Sequence, residues 1–375
     1  MKTFFRRIHL YLGLVTGGVV MITCLTGAIL VYETELQQLF HPKRYFNQSL
    51  SQPSLPADSL ISIAENTLRV KAKSIKIFED AGRNAEITIP SNSATTANIP
   101  VKRAPTEIVF IHPKTGAIIE VYNHRKSFFF QVMSLHRWML SGETGKWIVG
   151  TCTLLFLFIL ITGIVLWWPK NKAILLQRLK WKTRSGFKRM NYDYHVVLGF
   201  YSSIFLFVLA GTGLAWSFEW FNKGIYTLTR STMVQSKPVI VAQGEPISGR
   251  VASAIVLVKQ QASAPYYQIA LPSGPENTLS VSVLQPNYRT EVEKDVYHVN
   301  PYTNRIVSVE RFADKNTGQK IRAQFKPVHT ASVFGQPSKL IGFAVCLLGT
   351  FFPASGIIIW WNRTRKNRHI KNKRE

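Results

Sequence analysis

Acidic residues are scarce in this 375-residue chain: 20 Asp and Glu stand against 46 Lys and Arg, a formal net charge of +26. Cysteine is scarcer, with only Cys24, Cys152 and Cys346. All three fall inside apolar runs, so the polar segments hold no disulfide, and no Cys-x-x-Cys is available for thiol redox chemistry. No Gly-x-Gly-x-x-Gly occurs, which argues against a resident nicotinamide or flavin domain. No carboxylate pair, serine triad or zinc signature points to hydrolysis. Charge is missing altogether from four stretches, 10–32, 147–168, 196–218 and 340–361. At ~1.5 Å per residue each is long enough to cross a hydrocarbon core of ~30 Å.

The positive charge that remains is concentrated beside these stretches. Lys2, Arg6 and Arg7 precede the first; Lys170, Lys172, Arg178, Lys180, Lys182, Arg184, Lys188 and Arg189 separate the second from the third; Arg363, Arg365, Lys366, Arg368, Lys371, Lys373 and Arg374 follow the fourth. The positive-inside rule makes these segments cytoplasmic. Basic runs abutting spans meet anionic lipid headgroups, so the lipid bilayer is the expected partner and nucleic acid is not. The expected order is a cytoplasmic N-terminus and first span (1–32), an outer segment (33–146), a span (147–168), a basic loop (169–195), a span (196–218), a second outer segment (219–338), a span (339–361) and a basic tail (362–375). The first span reads as uncleaved, because its apolar part is too long for a signal peptide and no small-x-small site follows.

What is present in quantity is repetition. Residues 9–40 lie over 195–226 at constant offset, pairing His9 with His195, Gly13 with Gly199, Thr26 with Thr212 and Gly27 with Gly213. Residues 136–168 lie over 329–361, pairing His136 with His329, Lys146 with Lys339, Gly163 with Gly356 and Trp167-Trp168 with Trp360-Trp361. The predicted fold is a membrane protein of four transmembrane α-helices in a parallel internal duplication, with two small α+β outer domains. In the first outer segment a helix is expected over 59–70 and strands over 74–78, 86–90 and 106–112. The second repeats this with a helix over 251–261 and strands over 266–271, 278–284 and 295–299. A turn and strand close each segment, and Gly116 and Asn304 stand where such a turn needs positive φ.

The His-x-x-Leu-Gly opening at His9 and His195, the Gly-x3-Trp-Trp exits at Gly163 and Gly356, and the doubled outer segment with its Pro113-Lys114-Thr115-Gly116 turn resemble the PepSY-associated transmembrane family. More narrowly, the chain is similar to its iron-regulated four-helix members, which include inner-membrane ferric-siderophore reductases. The resemblance covers nearly the whole chain. It implies a multi-pass protein of the bacterial inner membrane with periplasmic PepSY-like domains and haem held by histidines in the helix bundle.

A parallel repeat places equivalent residues opposite one another at one depth, so His9 is expected to face His195 near the cytoplasmic surface and His136 to face His329 near the periplasmic one. Each pair suits the axial positions of a haem iron. Without Cys-x-x-Cys-His such a haem is b-type, and two stacked haems make an electron path. Gly13 and Gly17, with Gly199 and Ser203, lie on the faces of His9 and His195 and leave room for a flat cofactor; the alternative is a small-x3-small packing motif. For His136 and His329 the alternative is an interfacial anchor. Helix breaks are expected at 141–145 and 335–337, because 136–167 is too long for one straight span. Arg6, Arg7, Lys188 and Arg189 on one side, and Arg137, Lys146, Lys326 and Lys339 on the other, are candidate partners for haem propionates. The expected activity is electron transfer to a periplasmic ferric siderophore or other ferric chelate, with membrane quinol or a cytoplasmic reductase as donor. The competing expectation is a non-enzymatic, membrane-anchored PepSY protein that binds or regulates a periplasmic partner.

Overall fold

The computed structural model describes residues 1–48, 53–91, 105–169, 171–180, 186–233, 238, 245–274 and 277–371. Of the basic positions named above, Lys170, Lys182, Arg184, Lys373 and Arg374 lie outside them. The chain opens with α1 (Lys2–Val31), α2 (Glu33–Phe40), α3 (Pro42–Tyr45) and α4 (Ala57–Leu68). Strands β1 (Ser74–Phe78), β2 (Ala85–Pro90), β3 (Thr106–Ile111) and β4 (Ile118–Tyr122) lead to α5 (Phe128–Trp138) and α6 (Gly142–Trp167). Next come α7 (Lys172–Arg178), α8 (Phe187–Asp193), a π-helical turn at Tyr194–Leu198, α9 (Gly199–Ser217), α10 (Glu219–Leu228) and α11 (Arg250–Lys259). Strands β5 (Tyr266–Ala270), β6 (Leu279–Leu284), β7 (Lys294–Val299) and β8 (Ile306–Glu310) precede α12 (Thr317–His329) and α13 (Gln336–Lys371).

Among the described residues, four helical runs are long and apolar enough to span a membrane: α1, α6, the continuous run Phe187–Ser217, and α13. The chain is a multi-pass membrane protein. The third run starts well before the charge-free window at 196, because hydrophobicity marks the bilayer-compatible part while the helix continues into polar residues. There Arg189 pairs with the buried Asp193 at 3.0 Å. The breaks fall at 139–141 and 330–335, earlier than the expected 141–145 and 335–337, so that 142–145 and 336–337 are already helical; Met139 and Leu140, then Gly142 at the start of α6, have positive φ at the first, and Ala331 and Gly335 at the second.

Strand order β4-β3-β2-β1-β5-β6-β7-β8 makes one antiparallel sheet from both outer segments. The sequence pattern treats them as two small domains, yet β1 and β5 pair edge to edge from Ser74 opposite Ala270 to Phe78 opposite Tyr266. Joining the two edges satisfies backbone groups that separate domains would leave open. One face is covered by α4 and α11, whose Leu60, Ala64, Ala254 and Val258 pack on Ile75, Ile87, Val109, Ile269 and Val281 in a single core. Asp58 of α4 accepts hydrogen bonds from the backbone N–H of Val251 (3.2 Å) and Ala252 (2.8 Å), capping α11 across the two segments. Gly116 and Asn304 adopt φ of 72° and 49°, as their turns require.

In the bundle α1 packs chiefly on α13 and α6, and α9 on α6 and, less extensively, α13. The helices α1 and α9 therefore occupy opposite corners, and so do α6 and α13. Gly17 packs against Pro353 of α13, with 3.1 Å from its Cβ position to the proline Cβ. At Gly17 the small-residue spacing serves helix packing.

Candidate functional site

Two histidine pairs face across the bundle interior. His9 lies in the second turn of α1 and His195 in the π-helical turn, with ring centroids 6.3 Å apart and planes crossing at 83°. A π turn widens the helix locally, a distortion found mostly at functional sites. At the sheet end, His136 in the last turn of α5 and His329 at the end of α12 lie 6.1 Å apart at 61°. The breaks after α5 and α12 let these short helices run across the bundle end instead of continuing into α6 and α13.

Each imidazole is seated in the same way. His9 Nδ1 lies 3.1 Å from the Ile159 carbonyl and 3.0 Å from Thr162 Oγ1, and His136 Nδ1 lies 2.9 Å from the Thr23 carbonyl and 3.0 Å from Thr26 Oγ1. His329 Nδ1 lies 2.9 Å from the Leu209 carbonyl and 3.2 Å from Thr212 Oγ1; His195 Nδ1 meets Ser355 Oγ at 2.7 Å and the Phe352 backbone. A glycine follows each hydroxyl and abuts the ring: a Cβ on Gly163, Gly356, Gly27 or Gly213 would stand 3.3, 3.4, 3.3 or 3.1 Å from Cε1 of His9, His195, His136 or His329. The seat is thus a carbonyl, a hydroxyl three residues on and a glycine four residues on, which one helical face presents together. A carbonyl only accepts, so Nδ1 carries the proton and Nε2 keeps its lone pair.

This arrangement fits a metal held between two imidazoles. A metal–nitrogen bond of ~2.0–2.1 Å plus a ring radius of ~1.1 Å places the centroids of two opposed imidazoles ~6.3 Å apart, against 6.3 and 6.1 Å here. An Nδ1–H bonded to backbone oxygen is the outer support that fixes the orientation of ligating histidines. Among the described residues no group of three or more His, Cys, Asp and Glu could hold a bare ion. Two facing imidazoles suit a metal whose remaining positions a macrocycle fills.

Space for such a group exists at both pairs. A cavity of about 490 Å³ surrounds His9 and His195, and one of about 310 Å³ surrounds His136 and His329. Gly13, Gly199 and Ser203 line the first, and nothing lies within 4 Å of a Cβ position at Gly13. Val20, Phe156 and Leu206 line both cavities, so they form the partition between them.

Cations line each cavity. Arg6 and Arg7 line the first, joined by Arg178 and Arg363; Arg137, Lys146 and Lys326 line the second. Other candidates do not reach them: Arg189 is occupied by Asp193, Lys339 bonds Glu35 at 2.6 Å, and Lys188 lines neither cavity. Trp167 lines the first cavity with its indole stacked 3.6 Å over Phe200, and its buried Nε1–H has no acceptor among the described residues. An acceptor such as a carboxylate in the cavity would satisfy it.

The hydroxyl-glycine seats and Trp167 are not evident as site residues from sequence reasoning. Their signal is present in the aligned Thr26-Gly27 and Thr212-Gly213, but helical spacing alone does not say which histidine a seat receives. The PepSY-associated TM region family matches the chain over residues 6–363. No curated protein matches it.

Proposed function

Because the chain belongs to the PepSY-associated TM region family, we propose that it is an inner-membrane oxidoreductase that holds two b-type haems and passes electrons to a ferric chelate on the sheet side. One observation carries this reading: two opposed histidine pairs at metal-bridging separation, each ring with Nδ1 tied to a carbonyl or hydroxyl and its edge against a glycine. The two runs of like elements act as a parallel duplication, which sets both pairs on one axis. The sheet then lies in the periplasm, and the end lined by Arg6, Arg7, Arg178 and Arg363 faces the cytoplasm.

His9 and His195 would hold the inner haem, and His136 and His329 the outer one. Haem supplies reversible one-electron chemistry at iron, with its potential tuned by ligands, burial and hydrogen bonds. The chain's residues do the rest. The hydroxyl-carbonyl seats fix each Nδ1 proton, Gly13 and Gly199 leave room beside the rings, and Phe156, Leu206 and Val20 exclude water between the cavities. Arg6, Arg7 and Trp167, and at the other end Arg137 and Lys326, would receive carboxylates. With no dinucleotide fingerprint in the chain, the electron comes from outside, from membrane quinol or a reductase docking on the basic loop. One electron converts chelated ferric iron to ferrous iron, which hard oxygen ligands hold less tightly, and the metal leaves.

The test is the optical spectrum of the purified protein, oxidised and then reduced with dithionite, with pyridine haemochrome quantitation. Two low-spin b-type haems per chain are expected, falling to one in His9→Ala or His195→Ala. Folded protein from a haem-replete host without haem overturns the reading and favours a partner-binding PepSY module.

A further inference from the structure

A second concentration of charge lies off the histidine axis, on the sheet face opposite α4 and α11. Alternation along β1 turns Ile75 and Ile77 into the core and Lys76 to the other face, with Glu86 opposite it on β2. Lys76 Nζ stands 4.1 Å from the centre of the Tyr266 ring, and Lys294 Nζ, at the start of β7, stands 5.1 Å from the same ring. Two ammonium groups thus share one aromatic ring.

Lys326 of α12 acts electrostatically on Lys294 and relates this cluster to the outer cavity. Thr290 and Glu293, in the turn before β7, bond Gln324 of α12 at 3.3 and 3.0 Å, which lays the middle of α12 against that turn. Lys326, two residues on, lines the cavity of His136 and His329 together with Arg137. Burial first, then the charges of Lys76 and Lys326, pull the Lys294 ammonium below its ordinary value against the opposing effect of Glu291. The acids nearby are Glu86, Glu291 and Glu33; burial holds the Glu86 and Glu33 carboxyls above the ordinary range. Arg83, near Glu86, adds another cation. Among the described residues neither Lys76, Lys294, Lys326 nor Arg137 makes an ion pair.

Lys76, Lys294, Lys326 and Arg83 outnumber the carboxylates Glu86, Glu291 and Glu33 around this face, and an anionic ligand relieves the excess positive charge. We propose that the sheet face around Lys76, Tyr266 and Lys294, continuing to Lys326, binds the ferric chelate and selects anionic chelates over neutral ones. This rests on the reductase reading above. Three hydroxamates cancel the ferric charge, whereas three catecholates, or citrate carboxylates, leave negative charge for the lysines.

Gallium(III) chelates test this without electron transfer, since gallium(III) is a hard cation that takes the same oxygen ligands. Full-length haem-loaded protein in detergent is titrated by calorimetry with gallium citrate, a gallium tris-catecholate and a neutral gallium trihydroxamate, while its visible spectrum reports haem. The anionic chelates are expected to bind more tightly, with affinity that falls as salt rises. Lys76→Gln and Lys294→Gln should each weaken them roughly tenfold and leave the haem spectrum unchanged. Equal or tighter binding of the trihydroxamate, or unaltered binding in both variants, overturns the proposal. Anionic binding lost in the variants of a protein that carries no haem sinks the reductase reading and supports the anion site.

Discussion

Alanine in place of Gly213 would set a Cβ 3.1 Å from Cε1 and 3.7 Å from Nδ1 of His329. Carbon atoms in contact rest ~3.5–4.0 Å apart, so the imidazole must retreat by ~0.4–0.9 Å or α9 and α12 must separate. A metal–nitrogen bond tolerates ~0.2 Å, so the retreat exceeds what an axial bond absorbs. Overpacking of this kind costs ~1–3 kcal/mol, or roughly five- to 150-fold in haem affinity at the outer site. Gly211, two residues away on the same helix, is the control, because nothing lies within 4 Å of its Cβ position. Both substitutions gain similar helix propensity, ~1 kcal/mol, so that effect cancels in the comparison. The assay is haem titration of apoprotein followed by low-spin absorbance, with haemochrome counts per chain. Gly213→Ala should keep one low-spin haem and lose the second, or hold it high-spin, while Gly211→Ala behaves as wild type. Two variants that cannot be told apart would refute the seat geometry.

Other outcomes follow from the same contacts. Ser355→Ala removes the hydroxyl 2.7 Å from His195 Nδ1 and should weaken the inner haem site about tenfold without touching the outer one; a two-step haem titration shows whether the loss is confined to one step. Asp58→Ala removes the cap on α11 and should lower stability by ~1–2 kcal/mol, with Asp58→Asn losing less; unchanged thermal unfolding would count against it. His124, ringed by Tyr122 at 6.2 Å and Phe130 at 5.4 Å, has its imidazole pulled below the ordinary value by burial. The unfolded chain takes up that proton near pH ~6.5 while the folded one resists, so His124's contribution is intact above this pH and declines as pH falls through it. His124→Phe should flatten the loss of stability between pH ~7 and ~5, measured by urea unfolding, and an unaltered slope would dismiss the role.

What a sequence reveals here depends on whether the signal is local. The spans follow from charge-free runs and the strands from alternation; the strands lie within a few residues of their observed ends, while helix outruns hydrophobicity at Lys2, Phe187 and Lys371. Gly116 and Asn304 were legible because turn geometry is written in adjacent residues. The β1–β5 pairing was not, since an edge strand that joins another edge alternates like any half-buried strand, and one continuous sheet replaces two small domains. Charge partners were legible only in part: Arg137 and Lys326 line the outer cavity, but Lys339, aligned with Lys146, is drawn to Glu35 from a distant part of the chain. The π turn at His195 left no mark, for its His-x-x-Leu-Gly matches that of His9 in a regular helix.

Each histidine is seated by its own half of the chain: His9 on α6, His136 on α1, His195 on α13 and His329 on α9. Seat geometry is therefore complete within a half, and the relation between halves decides only the distance across which two rings face. For the outer pair that distance is set by α5 and α12, and both helices lean on the sheet. Phe130 of α5 meets His124, which meets Tyr122 at the end of β4, and Gln324 of α12 bonds the turn before β7. Because β1 and β5 join these two groups of strands in one ladder, the sheet is a strut that holds α5 and α12 at fixed separation. Two loosely tethered domains would let the outer rings drift apart by more than an axial bond tolerates. The inner pair needs no such strut, since membrane helices packed along their length already fix it. The continuous sheet thus has a mechanical reason at the end of the bundle where the histidines stand on short helices instead of spanning ones.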